Sequence, residues 1–356
     1  MNRANNMKQK IKRYIDCYVP ITTCNLRCSY CYVAQQGLFK QAVPHFEHSA
    51  KEIRQALSVQ KLGGVCVLNL CAGGETLIAE EVIAIIRELL EEGHFVGVVT
   101  NGLLAHRFDE LAAFPKELLD HLFIKFSFHY LELKRLNVFD VYFSNIKKMQ
   151  KAGASFTVEM TPCDEEIPLI SEIKQVCMEN LGALRHVTIA RSDIDPDQRI
   201  PHLSKYDFET YKTIWSIFHS DLFDFKASIF YQHRDEFCYA GDWTFYVNLG
   251  TGDATQCYCG KKIGNIFDNE PLHFEAIGKK CTQAHCYNGH SWLAFGDIPN
   301  LKTPTYAQMR NRITETGEEW LKPAVKDAFA TKLCHTNRRY SLWRRYKVDH
   351  PSPSKE

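Results

Sequence analysis

The run Cys24-Asn25-Leu26-Arg27-Cys28-Ser29-Tyr30-Cys31-Tyr32 sets three thiols, spaced three and then two residues apart, in one short loop. Such a loop can fold around one metal centre without help from distant chain. Iron–sulfur cubanes usually take four cysteines, so a set of three leaves one iron open to a substrate or cofactor. A zinc site is the competing reading. Its usual ligands come as two C-x2-4-C pairs, and the nearest later cysteine here is Cys66, inside an apolar run.

Outward from this loop, the chain alternates strand and helix signals. Arg13 to Val19 reads as a short strand ended by Pro20. Ser49 and Glu52 form a capping-box pair that opens a helix running to about Leu62. Val65 to Leu70 is an apolar run bounded by glycine, the mark of a strand buried on both faces. Further strands are expected at Phe95 to Thr100, Leu122 to Phe128, Ser155 to Met160 and His186 to Ala190. Helices are expected over Val82 to Leu90, Ala105 to Asp120, Leu131 to Lys151 and Glu165 to Leu181, with a sixth opening at Ser204 and Asp207. Six successive strand–helix units require parallel strands with right-handed crossovers. Eight such units close a barrel, and six leave it open. The loops at the C-terminal strand ends, which carry Cys24–Cys31, Gly73–Glu75, Asn101, His129, Cys163 and Arg191, should then face one cavity.

The C-x3-C-x2-C pattern, with Tyr30 just before its last cysteine, resembles the radical S-adenosylmethionine (SAM) superfamily. The resemblance implies an α/β fold with a partial (β/α)6 TIM-like barrel over residues 1–220. It also implies a [4Fe-4S] cluster on Cys24, Cys28 and Cys31 whose open iron is chelated by the methionine part of SAM. Gly73-Gly74-Glu75 matches the family's GGE element, which holds the amino group of that methionine part; by itself the tripeptide is only a glycine turn after a strand. Tyr30 matches the aromatic beside adenine, or it covers the cluster from water. Asn101 lies in a turn that resembles one near the family's SAM pocket and also reads as a plain Asn-Gly turn. Ser127, His129 and Arg191 fall where polar groups for SAM or the substrate are placed, although a histidine there is also a common local hydrogen-bonding residue.

Beyond the sixth helix the periodicity fails, and Cys238, Gly252, Cys257, Cys281 and Cys286 resemble the opening of SPASM and twitch extensions. The resemblance implies a second, fully ligated auxiliary [4Fe-4S] cluster on Cys238, Cys257, Cys281 and Cys286 in a small cysteine-rich domain, residues 221–290. Cys259 is an alternative to Cys257, His285 is a further candidate ligand, and a zinc knuckle would use the same four cysteines. Residues 291–356 are expected to form a helical tail, with a helical stretch from Tyr306 to Leu333 and Cys334 unassigned. Cys17, Cys66, Cys71 and Cys177 read as core. Cys163, after Pro162 at a strand mouth, is a candidate catalytic thiol that returns a hydrogen atom to a substrate radical, or else a packed, inert one.

The 356-residue chain has 43 basic and 42 acidic residues, so no net charge draws it to nucleic acid or an anionic membrane. No apolar run spans a bilayer and no signal peptide is evident, so a cytoplasmic location is expected, where 14 cysteines read as metal ligands and core. The resemblance implies an enzyme that reductively cleaves SAM to a 5′-deoxyadenosyl radical, which takes a hydrogen atom from a substrate C–H bond. An electron donor of the flavodoxin or ferredoxin type would feed it. The outcome would be oxidation or cross-linking of a peptide or small metabolite, or epimerisation with a cysteine donor. The rival class is a non-enzymatic iron–sulfur electron-transfer protein. Only 23 residues precede Cys24, too few for a leader-binding domain, which favours a small substrate or a separate leader carrier.

Overall fold

Alternating side chains in Arg13-Tyr14-Ile15-Asp16-Cys17-Tyr18-Val19 point to opposite faces of a sheet, and both faces are covered. The computed structural model describes residues 10–351 except 41, 44, 196, 198, 259 and 287. This first stretch is strand β1 (Arg13–Val19), followed by β2 (Cys66–Ala72), β3 (Phe95–Thr100), β4 (Leu122–Ser127), β5 (Ser155–Met160) and β6 (His186–Val187). Three more follow late in the chain: β7 (Thr244–Asn248), β8 (Asp253–Thr255) and β9 (Lys262–Asn265). All nine form one open sheet in the order β6-β5-β4-β3-β2-β1-β7-β8-β9. Strands β1 to β6 are parallel, as the six-unit reading requires.

Strand β7 lies parallel on the free edge of β1, and β8 and β9 continue from it antiparallel. The cysteine-rich segment expected as a separate small domain therefore extends the barrel's own sheet. Helix Asp221–Ile229 also belongs with the barrel. It is capped by Ser220, whose hydroxyl accepts from the Val187 amide of β6 at 3.1 Å, and it packs against that strand. No periodic pattern in the sequence marked this helix.

One face of the sheet, with Ile15, Leu68, Val98, Ile124 and Val158, is buried under the helices. The other carries Tyr14, Val67, Phe95 and Phe123, and the C-terminal segment seals it: Phe295 stacks on Tyr14 at 4.8 Å, and Phe329 meets Phe123 edge-on at 4.9 Å. Beyond this apolar plug the inner face turns polar, with Asp16, Asn69, Lys125 and Glu159.

Several expected helices are broken. Leu131 to Lys151 divides into Tyr130–Leu136 and Phe139–Ala152 because Asn137 turns left-handed at φ 54°. Pro115 divides the 105–120 stretch, and residues 164–169 form a 3-10 turn around Pro168 before helix Ile170–Leu181. The tail has helices at Pro323–Phe329, Leu333–Thr336 and Leu342–Asp349. The expected helix from Tyr306 is absent up to Pro323, and aromatic plugging takes its place. Among the described residues no helix is long and apolar enough to cross a membrane.

Candidate functional site

The cysteine loop leaves β1 and is held by the ends of neighbouring strands. Gly74 donates its amide to the Ile21 carbonyl at 2.7 Å, and Glu75 donates to Thr23 at 2.9 Å, so the glycine turn after β2 grips the segment entering the loop. The Arg27 amide donates to Glu132 at 2.8 Å. The Gln35 amide nitrogen bridges the carbonyls of Tyr30 (2.9 Å) and Arg191 (3.0 Å), tying the loop to the chain after β6. Residues expected at several strand ends are thus brought around one loop.

Gly73 and Gly74 are there for close approach. A methyl group on Gly74 would lie 2.0 Å from the Thr23 carbonyl oxygen, and one on Gly73 would lie 3.1 Å from the Tyr32 hydroxyl. Glu75 is buried and accepts three bonds: Thr100 hydroxyl (2.6 Å), Leu77 amide (3.0 Å) and Asn101 amide (2.7 Å). Burial pushes its carboxyl pKa up against the pull of these donors. A carboxylate offers about four lone-pair positions, so one is left for a ligand.

The Asn101 side-chain amide lies 3.8 Å from the Cys24 sulfur and donates to Asn25 at 2.6 Å. The Leu26 amide points at the same sulfur from 3.4 Å. Cys24, Cys28 and Cys31 lie within electrostatic range of one another, and burial pushes the Cys24 and Cys28 thiols upward. Thiols so placed need a metal to ionise, because the thiolate is the metal ligand. Among the described residues no three His, Cys, Asp or Glu side chains converge on a point that one ion could occupy. A cubane does not require such convergence, because each cysteine takes a different iron. The loop, its sulfur-directed donors and its glycine cradle fit that group.

Tyr30 shares a 2.7 Å hydrogen bond with Nδ1 of His129. Burial pushes the His129 pKa down to about 4, so the ring is neutral and can accept from Tyr30. Ser127 ends β4 opposite Glu159. Cys163 is buried, and its amide donates to Glu166 at 3.3 Å. Burial and the neighbouring Glu166 keep its thiol protonated, and burial pushes Glu166 up to about 7 against Arg185.

At the second cysteine group, Cys238 exchanges backbone hydrogen bonds with Gly278 (3.0 and 3.1 Å), three residues before Cys281 in the chain. Gln256 donates to the Glu275 carbonyl at 2.7 Å, anchoring the turn that carries Cys257 to the same strip. Cys238, Cys257 and Cys286 pack against the C-terminal core. His285 is buried, with its ring 4.2 Å from Phe230. Cys259 lies outside the described residues. Cys334 packs beside Gly296.

Sequence reading missed the inner-face charges. Asp16 accepts from Tyr14, Asn69, Tyr258, Asn288 and Trp292 at 2.8–3.3 Å, and Lys125 faces Glu159 at 3.5 Å. A single charge inside an otherwise apolar strand, as in Phe123-Ile124-Lys125-Phe126, was the signal available.

Residues 18–168 match the family model described as the radical SAM superfamily. No curated protein matches the chain. Among solved structures it is similar to Streptococcus suis SuiB bound to S-adenosylmethionine, at 19% identity and TM-score 0.50 over 74% of this chain and 67% of SuiB. SuiB bound to precursor peptide SuiA gives 17% identity and TM-score 0.51 over 75% of this chain and 66% of that one. Native anSMEcpe with bound AdoMet gives 16% identity and TM-score 0.46 over 71% and 78%. The chain thus spans about two thirds of SuiB, and the likeness to SuiB is one of fold.

Proposed function

We propose that the chain is a radical SAM enzyme that removes a hydrogen atom from a substrate C–H bond, the substrate being a peptide or small metabolite and the outcome an oxidation or cross-link. The observation that carries this reading is the pair of hydrogen bonds that the Gly74 and Glu75 amides donate to the Ile21 and Thr23 carbonyls, which sets the glycine turn against the segment entering the three-cysteine loop. The radical SAM match over residues 18–168 supports it. SuiB, whose fold the chain resembles, is crystallised with a precursor peptide, which favours a peptide partner.

In this reading Cys24, Cys28 and Cys31 hold a [4Fe-4S] cluster, and Cys238, Cys257, Cys281 and Cys286 hold an auxiliary one. The first cluster would bind SAM and, once reduced by a flavodoxin- or ferredoxin-like donor, would supply one-electron cleavage of its sulfonium. The chain's own part is positioning. Glu75 keeps Thr100 and Asn101 fixed and offers its remaining acceptor position to the ammonium of SAM. Asn101 steadies Cys24, and the Tyr30–His129 pair walls the loop from water. Cys163, held as a buried thiol, would turn the outcome towards epimerisation if it reached the substrate, which solvent deuterium in the product would reveal.

The test is anaerobic reconstitution with iron and sulfide. About eight irons per chain and reductant-dependent release of 5′-deoxyadenosine are expected. Replacing Cys24, Cys28 and Cys31 by alanine should remove about four irons and all SAM cleavage. Turnover that survives in this variant would overturn the assignment.

A further inference from the structure

Lys125, Arg310 and Lys226 gather around one carboxylate, Glu159, on the inner face of the sheet, and Arg191 lies within range of Lys226. Lys125 of β4 lies 3.5 Å from one oxygen of Glu159 on β5, and the Arg310 Nε lies 3.3 Å from the other. The Arg310 contact is an ion pair without hydrogen-bond alignment. Its Nε and Nη2, Glu159 Oε1 and Thr157 Oγ1 are all buried and make no hydrogen bond among the described residues. The guanidinium is fully buried, lying over the Tyr306 ring at 3.7 Å. Lys226, buried in helix Asp221–Ile229, donates to Thr188 at 2.6 Å and lies within electrostatic range of Lys125, Arg310 and Arg191. Arg191 faces Asp193 at 3.8 Å. Glu159 pairs with Lys125 and Arg310, and Asp193 with Arg191. Asp16 stands on β1, three strands from Lys125 on β4.

Nη1 of the Arg310 guanidinium donates to the His290 carbonyl at 3.4 Å, whereas Nε and Nη2 lack an aligned acceptor, a cost that a further acceptor would relieve. Burial, and then the neighbouring cations, push Lys226 downward. Lys125 and Arg191 keep 17% and 25% of their side chains exposed, so the cluster is open on that side. Lys125 is within range of Cys71, which sits two residues before Gly73, and His285, beside Cys286, is within range of Arg191 and Lys226.

We propose that this cluster binds a carboxylate carried by the substrate, so that the enzyme takes an acidic substrate. A planar guanidinium matches a planar carboxylate. The carboxylate is the shared chemistry of an Asp or Glu side chain, a peptide C-terminus and a small organic acid. That it belongs to the substrate rests on the radical SAM reading; that a carboxylate binds does not.

The test is equilibrium dialysis of reconstituted, SAM-loaded protein against three labelled probes: a capped Ala-Ala-Glu-Ala-Ala peptide, Ala-Ala-Gln-Ala-Ala with a free C-terminus, and glutarate. The capped, amidated Gln peptide is the neutral control. At least one carboxylate probe should bind and the control should not, and the probe that binds identifies the source. Lys125→Gln and Arg310→Gln should weaken that probe about tenfold or more, and Glu159→Gln should tighten it. Lys125→Gln and Glu159→Gln decide the matter if Arg310→Gln does not fold. Absence of binding, equal binding of the control, or indifference to all three substitutions overturns the proposal. So does a raised KM for SAM in Lys125→Gln with probe affinity unchanged, which would assign the cluster to SAM's own carboxylate. Wild-type protein that cleaves no SAM overturns the enzymatic reading alone, and the dialysis still decides whether a carboxylate binds.

Discussion

A methyl group at position 74 would sit 2.0 Å from the Thr23 carbonyl oxygen, a distance no packed pair of atoms tolerates. Relief requires the turn after β2 and the segment entering the cysteine loop to separate, which breaks the two backbone hydrogen bonds joining them. Misplacing reacting groups by about 1 Å costs on the order of 100-fold in rate. Gly74→Ala should therefore lower 5′-deoxyadenosine formation by about that factor and reduce iron in the first cluster; a variant with full iron and rate would remove this clamp from the argument. Glu166 gives a second test at the same scale. Its folded pKa of about 7 exceeds the ordinary 4.5, so between these values the folded protein holds a proton that the unfolded chain has released. Stability falls as pH rises through that window and levels off above it. Glu166→Gln, neutral throughout, should flatten this decline in urea midpoints measured from pH 5 to 8.5. Parallel profiles for the two proteins would show that Glu166 does not set the slope.

Elements were legible where one period ran uninterrupted. β1, β3 and β5 have the expected bounds because short alternating or apolar runs between turn residues admit little else. The C-x3-C-x2-C loop and the Gly73–Glu75 turn could be found because they are local in sequence. Arg310, Lys226 and Glu159 meet through the fold alone, and no local pattern announces them. Helix Tyr130–Leu136 ends because Asn137 adopts φ 54° and ψ 50°, yet its apolar positions run on into Phe139–Ala152, so periodicity merged the two. Asparagine tolerates the left-handed region, glycine enters it at no steric cost, and alanine pays about 1–2 kcal/mol. Asn137→Ala should lower stability by about 1 kcal/mol, and Asn137→Gly should leave it level or slightly raised, read from urea unfolding. Equal losses for both would mean that the Asn137 side chain, and not its backbone, holds the corner.

For the whole molecule, the continuity of the sheet from β6 to β9 sets how it should unfold. The join between barrel and extension is β1 against β7, and Asp242 sits beside it, accepting from Arg13 of β1 at 2.9 Å and from the Tyr340 hydroxyl of the tail at 2.8 Å. Arg13 is buried, its guanidinium lies 3.7 Å from the Phe274 ring, and burial pulls its pKa down while Asp242 pulls it back up. Three regions distant in sequence thus meet at one carboxylate. Removing it leaves a buried cation without its partner, which costs about 3–5 kcal/mol. If the sheet is one cooperative unit, Asp242→Ala should lower the thermal midpoint while a single transition persists, because neither half can open without exposing the edge of β1 or β7. Calorimetry on the variant decides this. Two resolved transitions, with the segment from β7 onward melting first, would make the extension a separately folding module that only borrows the edge of β1.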